Sequence, residues 1–176
     1  LHRFLHSFPT RRSSDLIVLT HGHLDHVQNA AFLSQQLEVP IAMHRSDLEL
    51  LEDNDCQPMQ AHRRLGRLIQ SLSRRGFQDT LLPPFQPDLY LEDGDDLSHF
   101  GVNAQVVALP GHTLGSIGLK TEDGALLVGD AMFRLFSPAP ALVYADRRQM
   151  EDSVAKIWAL HPTALYFGHG RPAQGL

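Results

Sequence analysis

The 176-residue chain has a single cysteine, Cys56, one tryptophan and only three tyrosines. One thiol excludes an internal disulfide framework and any thiolate metal cage, and it suits a reducing compartment. A cytoplasmic location is therefore the expectation. No apolar run approaches the roughly 20 residues that a membrane span requires. Excess positive charge is missing too. Fifteen lysines and arginines against 20 aspartates and glutamates give a net charge of -5, so the attraction that drives non-specific nucleic-acid binding is absent. There is no internal repeat, and the length leaves room for one domain with a real core but not for two. What remains is a globular protein, 43% apolar and 20% charged, whose expected partner is a small-molecule substrate rather than nucleic acid or a membrane.

The first sixteen residues, LHRFLHSFPTRRSSDL, carry no helical or strand period and no initiating methionine. From His6 to Leu16 they resemble the translation of a short-read sequencing adapter. Residues 1–16 are therefore read as a non-native segment and left out of fold reasoning, with the domain expected over residues 17–176. Without Arg3, Arg11, Arg12 and Asp15 the net charge becomes -7.

Beyond that segment, strand and helix signals alternate. Ile17–Thr20 is a short β-branched run of the buried-strand kind. Val27–Leu37 reads as a helix with Val27, Ala30, Ala31 and Leu37 inward, followed by a strand at Ile41–Met43 and a second short helix at Ser46–Glu52. Gln60–Arg74 sets Leu65, Leu68, Ile69 and Leu72 at helical spacing, with Arg63, Arg64, Arg67, Arg74 and Arg75 near the polar side. Such a helix would cover something, and its arginines are either a solvated face or a lid for an anionic substrate group. Strands are expected at Val102–Leu109, Ser116–Thr121, Ala125–Val128 and Ala164–Phe167, with a tight turn at Glu122-Asp123-Gly124. Asp146 and Gln149 form a capping pair that opens a helix bearing Met150, Val154, Ile157 and Trp158 on one face, ended by His161-Pro162. Alternating strands and helices argue an α/β or mixed sandwich architecture.

The residue present in excess is histidine, eleven in all. His21, His23, Asp25 and His26 fall within six residues directly after the first strand. Alternate residues of an extended chain project to one side, so His21 and His23 can reach one cation together, while Asp25 and His26 lie where a turn can aim them at a second. Imidazole nitrogens with a carboxylate suit zinc or another first-row divalent metal. Three further segments, Pro110-Gly111-His112-Thr113, Gly129-Asp130 and Gly168-His169-Gly170, each place a ligand-type side chain next to glycine just after a predicted strand. Glycine allows backbone to approach a compact site.

In this order, HGHLDH, GHT, GD and GHG resemble the ordered motifs of the metallo-β-lactamase superfamily, and the likeness covers essentially all of Ile17–Leu176. It implies a four-layer αββα sandwich of the mixed α/β (α+β) class with a binuclear site in the cleft between two sheets. The likeness also implies that the N-terminal strands preceding the first histidine motif are absent from this chain, and that its C-terminus is open to the same reading. Carried over position by position, His21, His23 and His112 would bind one metal, Asp25, His26 and His169 a second, and Asp130 would bridge them. Asp25 is the residue expected to orient the nucleophile and handle its proton. The implied cofactors are two divalent ions, zinc first, with iron or manganese as alternatives. The implied activity is attack by a metal-bound hydroxide on an ester, thioester or lactone of a small molecule.

Two branches of that family fit less well. Antibiotic-destroying members with this histidine motif typically carry cysteine where this chain has Asp130, and electron-transferring diiron members typically have glutamate where it has Gly22. The bridging aspartate resembles glyoxalase II-like thioesterases and lactonases. The alternative from another class is a persulfide (sulfur) dioxygenase-like enzyme using a single iron. Among the remaining residues, His44 is expected to cap or pack rather than reach the cleft. His161 is expected at a helix C-terminus. Phe133 and Phe136 are expected to wall a pocket or pack in the core, and Cys56 to be incidental.

Overall fold

The computed structural model of the chain describes residues 16–61, 66 and 84–175. Its strands form two principal sheets. In the first, β1 (Ile17–Val18), β2 (Ile41–Met43) and β4 (Leu89–Tyr90) run parallel in the order β1-β2-β4. The second has five strands, β5 (Ala104–Ala108), β6 (Ile117–Thr121), β7 (Ala125–Gly129), β11 (Ala164–Phe167) and β12 (Ala173–Gln174), in the order β12-β11-β7-β6-β5. Two small pairs complete it: β3 (Gln60–Ala61) with β10 (Val143–Tyr144), and β8 (Met132–Arg134) with β9 (Pro138–Pro140).

Strand parity builds the layers. On β2, Ile41 and Met43 face one way, into a cluster with Leu19 just after β1 and with Val27 and Ala30 from the adjoining helical segments, while Ala42 faces the other way. On β5 and β6 the same alternation sends Val106, Ile117 and Leu119 toward Ala42 of β2 and Leu91 just after β4. Val107, Leu126 and Val128 point to the opposite face, where Ile157 and Val154 of α3 (Arg147–Ala159) cover them with Leu165 of β11. Helix, sheet, sheet and helix therefore stack as an αββα sandwich with a core on each side of each sheet. Among the described residues no helix is long and apolar enough to cross a membrane.

Several expectations need adjustment. The single helix over Val27–Leu37 is two helices, α1 (Leu24–Val27) and α2 (Ala30–Leu37), separated at Gln28 and Asn29. Val27 and Ala30 are buried, but Leu37, on the same side of α2 as Ala30 and in its last turn, is exposed. The second short helix expected at Ser46–Glu52 is present as a 3-10 helix over Arg45–Leu51. Gln60 and Ala61 are extended and pair with Tyr144 and Val143, so no helix starts at Gln60; the rest of that segment and its arginines lie outside the described residues, Gly66 excepted. Trp158 sits about 100° around α3 from the buried Ile157 and is exposed at the edge of the helix rather than packed.

The start of α3 follows its sequence signal. Asp146 is extended, and its carboxylate accepts the Gln149 backbone N–H at 3.0 Å. Asp146→Ala is expected to cost about 1 kcal/mol, a drop of roughly 2–4 °C in a thermal melt for a domain of this size. At the other end, the His161 N–H donates to the Trp158 carbonyl and its φ of 48° turns the chain out of the helix.

Candidate metal centre

β5 and β7 are each antiparallel to β6, and β7 is parallel to β11. The C-terminal ends of β5, β7 and β11 therefore lie at one edge of the sheet, and they lead into His112, Asp130 and His169. The segment after β1 of the first sheet is tied to the second sheet where the Ile117 N–H donates to the Thr20 carbonyl at 2.8 Å. Thr20 is the last residue before His21. Strand ends of both sheets are thereby brought to one place.

All seven side chains singled out in the sequence come together there. Three sets have their ligand-type atoms within 4.8 Å of one another: His21, His23 and His112; His21, His26 and Asp130; and Asp25, His26 and His169. His23 Nδ1 lies 3.0 Å from His112 Nε2. Asp130 spans the sets, with Oδ1 at 3.6 Å from His26 Nε2 and Oδ2 at 3.7 and 3.5 Å from His112 and His169 Nε2. His169 Nε2 lies 3.2 Å from Asp25 Oδ2. His21 and His112 are buried, whereas the side chains of His169 and Asp25 are 62% and 32% exposed. One end of the cluster is thus deep and the other faces solvent.

The surroundings orient the rings. His112 Nδ1 donates to the Val143 carbonyl of β10 at 2.8 Å, which leaves the Nε2 lone pair for the centre. His21 Nδ1 is 3.1 Å from the Thr20 hydroxyl, so its Nε2 also points inward. The short α1 places Asp25 and His26 in its first turn while Leu24 and Val27 anchor it in the core. Gly168 passes so close to Asp130 and His26 that a Cβ there would collide with both.

Charge in the cluster is held in a metal-ready state. Burial, reinforced by His112, pushes the His23 imidazole down to about 3, and burial with His112 and His23 drives His21 well below its ordinary value. Both are therefore neutral at physiological pH. Burial opposes ionisation of Asp130, but His26, His112 and His169 outweigh it and hold its carboxyl below the usual range. In Asp25 burial is likewise outweighed by the His169 hydrogen bond and the charges of His26 and His169. His169 is raised by Asp25. Among the described residues, three buried side-chain atoms lack a hydrogen-bond partner: His21 Nε2, His26 Nε2 and Asp130 Oδ1. Buried polar atoms are rarely left so. All three belong to one of the sets above, and two imidazole nitrogens with a carboxylate oxygen are donors that fit a first-row divalent metal.

Other sequence candidates lie elsewhere. His44 caps the 3-10 helix, its Nδ1 accepting the Ser46 N–H at 3.2 Å. Phe136 is 89% exposed at the turn between β8 and β9, so the core role considered for it does not hold. Cys56 is exposed. One buried acid beneath the centre, Asp47, carries no sequence signal: in a predicted helix start, Asp47 reads as an ordinary first-turn acid.

Known proteins are similar to this chain in sequence and in fold. The probable metallo-hydrolase YflN of Bacillus subtilis is 29% identical over 90% of this chain and 65% of its own length. Hydroxyacylglutathione hydrolase GloC of Haemophilus influenzae is 34% identical over 68% of this chain and 50% of its own length. The chain thus spans two thirds or less of these relatives. In three dimensions it is similar to TTHA1623, solved in a di-iron-bound form, with a TM-score of 0.67 and 29% identity over 91% of this chain and 72% of that one. The profile of the metallo-beta-lactamase superfamily matches residues 11–169, a stretch that includes every one of the seven clustered side chains. With that reach of sequence agreement on an αββα sandwich, the chain belongs to the metallo-β-lactamase superfamily.

Proposed function

We propose that the chain is a hydrolase that holds two divalent metals, zinc by preference, and cleaves an ester, thioester or lactone of a small molecule. The observation that carries this reading is the set of three buried, unpartnered donor atoms at the meeting point of four strand ends. His21, His23 and His112 would hold the first ion, Asp25, His26 and His169 the second, and Asp130, whose carboxylate lies within 3.7 Å of His26, His112 and His169 and so borders both sets, would be shared between them. Metals bound there would bring the pKa of water toward about 7 and polarise a carbonyl oxygen.

The residues supply position and proton transfer. Asp25, on the solvent-facing side and held ionised, is the group to accept a proton from the attacking water and return it to the leaving group. His169 beside it keeps that carboxylate oriented. The buried first triad fixes one edge of the site, and the exposed second triad leaves room for the acyl group. Resemblance to hydroxyacylglutathione hydrolase GloC favours a thioester among the three ester classes. The lone, exposed thiol of Cys56 suits a cytoplasmic location.

Metal content by mass spectrometry, followed by assays with glutathione thioesters, lactones, simple esters and β-lactams, tests this. Two ions per chain and hydrolysis of one of the first three classes are the expected result. A folded protein without metal would overturn the reading, and so would a single iron with oxygen uptake on glutathione persulfide.

A further inference from the structure

Asp47 lies in the 3-10 helix, 25 residues from Gly22 and 66 from Thr113 in sequence, and is fully buried. Its carboxylate nevertheless accepts four hydrogen bonds. The Gly22 N–H donates to Oδ2 at 3.0 Å and the Thr113 hydroxyl to the same oxygen at 2.6 Å. The Gly115 N–H donates to Oδ1 at 2.7 Å, and Gln57 Nε2 to Oδ1 at 3.0 Å. Gly22 stands between His21 and His23. Thr113 and Gly115 follow His112.

The same carboxylate thus ties together the two loops that carry His21, His23 and His112. The fit is tight. A Cβ on Gly22 would stand 2.8 Å from the Asp47 carbonyl oxygen, and one on Gly115 would stand 2.7 Å from Asp47 Cγ, closer than side chains pack. Glycine at both positions lets each loop close onto the acid. Gln57 braces the far side, with its Oε1 accepting the Leu114 N–H at 2.9 Å. Gly22 stands beside His21 and His23, three residues before Asp25, and none of the four donors belongs to the segments around Asp130 or His169.

We propose that Asp47 is a positioning residue that sets the spacing of His21, His23 and His112 before any ion arrives, and so governs metal affinity at that triad in preference to the one formed by Asp25, His26 and His169. The proposal rests on the two-metal reading above. A buried carboxylate with four donors leaves neither loop free to drift, because moving either one strands a buried charge with an unmet acceptor. Partners of this kind, one shell beyond the ligands, typically change metal affinity 10–100-fold. Asp47→Asn keeps the shape but turns an amide NH2 toward donors that need an acceptor. Thr113→Val removes one donor from the same oxygen and carries the test if the first variant does not fold.

The test is a titration of the metal-free protein with Co2+, followed by its visible d–d bands, in the wild type, Asp47→Asn, Thr113→Val and Ile157→Val. The last is a core substitution behind the second sheet that loosens the fold without touching either loop. The expected result is a 10–100-fold weakening of one of two binding steps in Asp47→Asn, a smaller weakening of the same step in Thr113→Val, and both steps unchanged in Ile157→Val. Two undisturbed steps in both loop variants would overturn the proposal while leaving the metal centre standing. Equal weakening in Ile157→Val would overturn it as well, since the effect would then be general loosening. A wild type that takes up no Co2+ would fail the metal reading itself and the proposal with it.

Discussion

His112→Ala should yield a folded chain that retains at most one metal ion and hydrolyses its substrate about 10³-fold more slowly or worse. His112 Nε2 lies 3.0 Å from His23 Nδ1 and 3.7 Å from Asp130 Oδ2, so it borders both the deep triad and the bridging carboxylate. Its other nitrogen is held by the Val143 carbonyl, which leaves no second orientation from which the ring could serve. Alanine removes the donor and leaves His21 and His23 alone, two neutral imidazoles that cannot close a tetrahedral site. A Lewis acid is worth several kcal/mol to acyl transfer, and each 1.36 kcal/mol is a factor of ten in rate. Far-UV circular dichroism with metal analysis checks the outcome. Retention of both ions at full activity would remove His112 from the centre.

Stripping the metals should destabilise the protein, and the stripped form should weaken further as the pH falls below about 6.5. Ligands that bind only the folded state contribute about 4 kcal/mol when present at a thousand times their dissociation constant. In a domain of this size that corresponds to a melting point lower by roughly 10 °C after chelation. The sign of the pH effect follows from the histidines. His23 is pushed down to about 3 in the fold, while in the unfolded chain it titrates near 6.5. Between those values the unfolded state binds the extra proton, so stability falls as pH falls. His21 acts in the same direction. Asp25 and Asp130, held below the ordinary carboxylate value, add their own losses at still lower pH. His169 is raised, so it gains stability as the pH drops toward 6.5, and that gain is complete below it. Metal-free melts at pH 7.5, 6.5 and 5.0 test the order: little change over the first step and a clear drop over the second. A flat profile from 6.5 to 5.0 would contradict the buried state of these rings.

The candidate centre was more legible in the sequence than the packing around it. Ligand-type residues sit where strands end, next to glycines, so His21, His112, Asp130 and His169 are marked by patterns only a few residues long. Ala164–Phe167 could be read residue for residue because its apolar run is bounded by Pro162 on one side and Gly168 on the other. Val27–Leu37 could not, because its periodicity persists across a break that only the geometry of the histidine turn imposes. Leu37 lies in the last turn of α2 and Trp158 about 100° around α3 from Ile157, so apolar character near helical spacing does not by itself bury either. Asp47 was invisible because everything that distinguishes it from a solvated helix-start acid is 10 to 68 residues away in the chain.

The order of the second sheet also bears on how the protein matures. The first triad is complete once the chain has reached His112, and its supporting strands β5, β6 and β7 are joined in sequence by short connections. The second triad needs β11, which pairs parallel to β7 only after the β8 to β10 segments and the whole of α3 have crossed over. Parallel pairings of such long sequence separation are the slow events of folding. His169 is therefore the last of the seven clustered residues to arrive, and on the two-metal proposal the deep triad would be able to take an ion before the outer one is assembled. Metal would then enter this protein in sequence, the buried ion serving as a template on which the final crossover closes.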